Sequence, residues 1–109
     1  MTVPDSVRYL GIGVFQECTS LESAVIGSGV TKLPIQLFRS CRSLKSVMFR
    51  GQVEEIGEQC FCYCTSLGSF TVPDSVLNVG KNAFFGCQSL TLTMPDALEA
   101  NGDGSYQQR

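Results

Sequence analysis

Three cysteines within five residues, Cys60-Phe61-Cys62-Tyr63-Cys64, are the most chemically suggestive run in the chain. Thiolates bind soft metals and react with disulfides, so the run invites a metal or a redox reading. Structural zinc, however, wants four ligands, in paired Cys-x-x-Cys-type elements. No cation or helix N-terminus evident in the sequence would lower the pKa of Cys62. The chain contains no histidine. It therefore lacks the side chain that most readily moves protons near neutral pH, and its serines have no imidazole to activate them. The carboxylates are scattered, and no phosphate-cradling Gly-x-x-x-x-Gly-Lys-Ser/Thr loop occurs. The expectation is a non-enzymatic protein with no cofactor and no resident metal.

What positions these thiols is a repeat. Cys18, Cys41, Cys64 and Cys87 are spaced by 23 residues, as are Phe15, Phe38, Phe61 and Phe84. Leu21, Leu44, Leu67 and Leu90 keep the same interval, and so do Val7, Val30, Val53 and Val76. A fixed period held at this many positions is the signature of a solenoid. Four units run over 2–24, 25–47, 48–70 and 71–93, with a partial fifth that starts one residue early at Met94-Pro95-Asp96. A period-locked thiol reads as core, because reduced cysteine packs as a small hydrophobe. Cys60, in the column of Val14 and Ala83, reads as core as well. Cys62 shares its column with Arg39 and Phe85 and is expected at the surface.

Within each unit a short alternating segment, such as Val47-Met48-Phe49, reads as a strand. Turns follow at Pro4-Asp5-Ser6, Gly27-Ser28-Gly29 and Pro73-Asp74-Ser75. The chain then returns through Val-x-x-Leu/Ile and a short helical turn that carries the phenylalanine. No unit buries its own apolar face; stacked neighbours do.

The recurring string Val-x-x-Leu/Ile-Gly-x-x-x-Phe-x-x-Cys-x-Ser-Leu resembles the BspA-like, or Treponema pallidum-type, leucine-rich repeats. The best matches are Ile56-Gly57 through Val76 and Val79-Gly80 through Leu90, and the likeness covers residues 2 to about 98. It implies an α/β repeat: a right-handed leucine-rich-repeat solenoid with short parallel strands on its concave face and irregular or short helical turns on its convex face. It also implies a role in adhesion or protein binding, often at a cell surface. Two departures stand out. Leu33-Pro34 replaces Ile-Gly or Val-Gly, and Phe49-Arg50-Gly51 replaces Val-Pro-Asp. Neither breaks the core columns. No cap is evident at either end, and the Asn-Gly-Asp-Gly-Ser-rich stretch 99–109 is expected to be a disordered tail.

The outward strand positions form the candidate binding row: Ser23, Val25, Ser46, Met48, Ser69, Thr71, Thr91 and Thr93. The row is small, uncharged and slightly apolar, which suits a protein partner or a glycan. Net charge is −2, and nothing in the row would grip phosphate, so nucleic acid is not expected. No apolar run approaches the ~20 residues of a membrane span, so no membrane insertion is expected. The clustered Arg39, Arg42, Lys45 and Arg50, followed by Glu54, Glu55 and Glu58, read as a solvated face rather than a basic site. No secretory leader is visible in Met1–Val7. The compartment is thus the cytoplasm for a complete chain and the cell surface or exterior for a fragment of a longer one. The expected state is a monomer or a stacked array. Three readings follow: an interaction module, a structural spacer within a longer array, and a metal or redox site at Cys60, Cys62 and Cys64.

Overall fold

A computed structural model describes residues 1–108. The chain winds through stacked coils whose strands form three sheets along two faces. One strand-lined face consists of β1 (Thr2–Val3), β2 (Ser23–Ile26), β4 (Ser46–Phe49), β6 (Ser69–Thr71) and β8 (Thr91–Thr93). The second ladder consists of β3 (Lys32–Leu33), β5 (Glu55–Ile56) and β7 (Asn78–Val79), joined by β9 (Leu98–Ala100) and β10 (Tyr106–Gln108). Each parallel pair is offset by one period, with Ser23 opposite Ser46 and Glu55 opposite Asn78, except β6 and β8, where the residue missing after Leu90 shortens the offset by one and sets Ser69 opposite Thr91. Equivalent residues therefore lie directly above one another, which turns the sequence columns into physical ones.

The phenylalanine column is the spine of the core. Phe15, Phe38, Phe61 and Phe84 stack with ring centroids 5.7, 5.6 and 5.4 Å apart. Phe38 and Phe61 are fully buried. Burial of such a side chain contributes ~1.5–3 kcal/mol, and ring pairing adds ~0.5–1.5 kcal/mol. Leu44, Leu67, Val30, Val53 and Val76 fill the neighbouring columns without exposure. The cysteine column does more than fill space. The thiols of Cys41, Cys64 and Cys87 donate to the carbonyls of Phe15, Phe38 and Phe61 in the preceding coil, at 3.0, 3.1 and 3.0 Å.

The expected helical turn is absent: no helix occurs among the described residues. Each arc instead holds two residues in the left-handed region. The first position is Gly13, Gln36, Gln59 and Asn82, with φ of 61°, 60°, 56° and 56°. The second is Glu17, Ser40, Tyr63 and Gly86, at 58°, 61°, 60° and 75°. A left-handed residue every four positions is incompatible with a right-handed helix. The conformation costs of order 1–3 kcal/mol at a non-glycine residue, and inter-coil hydrogen bonds offset it. The N–H groups of Gln36, Phe38 and Ser40 donate to Glu58, Cys60 and Cys62 of the next coil at 2.9, 2.8 and 2.7 Å. Those of Gln59, Phe61 and Tyr63 donate to Lys81, Ala83 and Phe85 at 3.0, 2.7 and 2.7 Å. The arcs thus form a third ladder in which alternate N–H groups bond the next coil, while those between them, such as Cys60 and Cys62, bond Gly57 and Gln59 of the same arc at 3.2 Å.

The segment expected to be a disordered tail is a hairpin in this structure. β10 pairs antiparallel with both β9 and β7, so the second ladder runs β3-β5-β7-β10-β9. Gly102 and Gly104 adopt φ of 88° and 89° in its turn, and Tyr106 packs against the core. The hairpin occupies the edge of β7, a covering that the sequence reading did not find.

Candidate binding face

The eight predicted row residues do lie on the strand-lined face, in two registered blocks. Ser23 sits opposite Ser46 and Val25 opposite Met48. Ser69 sits opposite Thr91 and Thr71 opposite Thr93. Seven of them are exposed and Val25 is half-buried. Met48, at 64% exposure, is the one large apolar side chain that projects from the row. Their strand neighbours Ala24, Ile26, Phe70 and Val72 are buried. That alternation is what the two-residue period of a strand demands.

Between β4 and β6 the ladder is interrupted. These strands do not pair; a single long bond, from Gly68 N–H to the Lys45 carbonyl at 3.4 Å, crosses beside them. Phe49 meets Phe70 edge-on at 6.1 Å at this junction, and the Phe49-Arg50-Gly51 departure from the repeat falls at the same place. The row is therefore two patches rather than one continuous stripe. Missed from sequence were Thr2, which extends the first patch opposite Val25, and the ion pairs that flank it. Lys45 meets Glu22 at 3.3 Å, and Arg50 approaches Asp5 at 4.0 Å. These pairs are largely exposed, so each contributes at most ~1 kcal/mol.

The three clustered cysteines do not converge on one point. Cys60, Cys62 and Cys64 are all buried free thiols, and no group of three or more metal-ligating side chains converges among the described residues. The expectation that Cys62 lies at the surface is overturned: it is 2% exposed, in the same arc as Phe61. The sequence also hid a cation beside it, since Arg39 lies one period earlier and faces Cys62. Burial raises the Cys62 pKa, and Arg39 only partly opposes this. Burial pushes Cys41 and Cys87 up to about 11 and lifts Cys60 and Cys64 further. Thiols held protonated in this way are poor nucleophiles at neutral pH.

Comparison with known proteins agrees with the stacked columns. The pattern of the BspA type leucine rich repeat region matches residues 1–109 in six copies. The chain belongs to the BspA-type leucine-rich repeat family. Two solved structures share its fold. One is a leucine-rich repeat protein from Bacteroides ovatus, 28% identical, with a TM-score of 0.68 over 94% of this chain. The other is a leucine rich cell surface protein from Faecalibacterium prausnitzii, also 28% identical, with a TM-score of 0.75 over 89% of this chain. This BspA-type repeat chain spans only 29% and 26% of the length of those two proteins. No curated protein matches it. Among the described residues no helix is long and apolar enough to cross a membrane.

Proposed function

We propose that this BspA-type repeat chain is a protein-binding module whose contact surface is the strand-lined row. The observation that carries this reading is the register of the row. Hydroxyls at Ser46, Ser69, Thr71 and Thr91 and the thioether of Met48 are exposed on a scaffold fixed by three ladders. A rigid, uncharged, slightly apolar surface loses little entropy on binding and suits a protein surface better than a polyanion. The cell-surface description of the Faecalibacterium neighbour supports a surface setting for this chain. The test is cross-linking capture from the source cells with the chain as bait and Met48→Glu/Thr71→Glu as control. A partner retained by the native bait and lost with the folded variant supports the reading. Equal capture by both moves the contact off this face. The second reading, a spacer within a longer array, draws on the small share of its structural neighbours that the chain spans; it predicts no capture by either bait.

A further inference from the structure

The Leu33-Pro34 departure opens a cleft between the first and second coils. At the same corner of the third and fourth coils stand Gly57 and Gly80, whose N–H groups donate to the Leu33 and Ile56 carbonyls at 2.9 and 2.8 Å. A Cβ on Gly57 would come within 2.6 Å of the Pro34 backbone, and one on Gly80 within 2.4 Å of the Glu58 nitrogen. The corner therefore closes only around a residue with an N–H and no side chain. Pro34 lacks the first and carries the second. Accordingly Arg8–Leu10 form no strand, although the first coil rejoins the second at Gly13, Phe15 and Glu17 through arc bonds of 3.0, 3.2 and 2.8 Å.

The gap is about 500 Å³ and is lined by Arg8, Tyr9, Ile12, Lys32, Pro34 and Ile35, among others. Its size falls within the range of ligand pockets, ~300–1,000 Å³. Two features define what fits. The first is an open strand edge. β3 uses Thr31 and Leu33 to bond β5, so by parallel-ladder geometry the Lys32 N–H and C=O face the cleft. The second is the lining. Tyr9, Ile12 and Ile35 are 89%, 70% and 41% exposed. Among the described residues the cations of Arg8 and Lys32 have no ion pair, and they outnumber the one carboxylate of the lining, Glu55.

We propose that this cleft holds an extended peptide that adds a short strand at Lys32, sets an apolar side chain against Tyr9, Ile12 and Ile35, and presents a carboxylate to Arg8 and Lys32. Main-chain bonding supplies affinity in this mode, and the flanking side chains supply selectivity. The site is separate from the strand-lined row and stands or falls independently of it.

The probe is a displayed library of random linear octapeptides, panned against the whole chain, with enriched sequences then synthesised. The expected peptides place Asp or Glu beside a bulky apolar residue. Their affinity should fall about tenfold or more with Lys32→Glu, which alters an exposed side chain, and with Pro34→Gly, which closes the corner. Methylating the peptide nitrogen that pairs with Lys32 should have a similar effect, and Met48→Glu/Thr71→Glu should have none. Failure to enrich any peptide overturns the proposal. So does binding that survives both Lys32→Glu and Pro34→Gly. Dimerisation in sedimentation that Lys32→Glu abolishes would also overturn it, by assigning the cleft to a second copy of the chain.

Discussion

Two corners of one repeat, built on the same register, behave differently. At Gly57 and Gly80 successive coils touch backbone to backbone and the second ladder is continuous. At Pro34 the ladder stops and the first coil stands away from the second. The phenylalanine stack runs on past both corners, with Phe15 stacked on Phe38 as Phe38 is on Phe61. Solenoid closure is therefore decided twice. Apolar columns bring the coils together, and one backbone position sets whether the corner between them seals.

The largest contrast lies in the columns. Phe61→Ala should cost ~3–5 kcal/mol, the usual range for an aromatic removed from a packed core. Phe61 contacts Phe38, Phe70 and Phe84 and is fully buried. Phe15→Ala should cost clearly less, because Phe15 is only half-buried at the first coil. Urea midpoints of the two variants check this; equal losses would mean that the coils do not differ in packing.

The corner itself gives the next largest effect. Gly57→Ala forces a Cβ against the Pro34 backbone and should destabilise by ~1–3 kcal/mol, as overpacking does. Pro34→Ala at the open corner should change stability by no more than ~1 kcal/mol, chiefly through the unfolded chain. Thermal melts of the pair would erase the distinction between the corners if the two variants lost the same.

The buried thiols add a pH dependence. Their pKa values in the folded state lie above the ordinary 9.0, reaching about 11 for Cys41 and Cys87, because burial penalises the thiolate. The unfolded chain releases these protons first. The contribution of Cys41 and Cys87 to stability is thus complete below pH 9 and is lost as pH rises from about 9 towards 11. Urea midpoints measured across that window should fall in the native chain and fall less in Cys41→Ala/Cys87→Ala.

Much of this was legible in the sequence because the period acts on residue type. Phenylalanine, cysteine, leucine and valine recur at one interval, so the columns, the strand-lined face and its outward row follow directly. The arcs were not legible. Gln36, Gln59, Glu17, Ser40 and Tyr63 are not residues that announce a left-handed backbone, and only Gly13, Asn82 and Gly86 hint at it. Inter-coil hydrogen bonds, which no local pattern encodes, hold them there. The same arc buries Cys62, whose column mates Arg39 and Phe85 suggested the surface. At the other end, Asn101 to Ser105 reads as a loose tail. Flanked by Leu98 and Tyr106, it is equally the turn of a hairpin. Pro34 was visible as a departure, but its consequence depends on what Gly57 and Gly80 do at the equivalent corners.

The most direct test of the two-corner account is amide hydrogen exchange at three equivalent positions, Lys32, Glu55 and Asn78. Glu55 and Asn78 donate across the ladder to Thr31 and Glu54, whereas Lys32 faces the cleft. The account predicts fast exchange at Lys32, slow exchange at the other two, and protection gained at Lys32 in Pro34→Gly. Lys32 as protected as Glu55 in the native chain would contradict it.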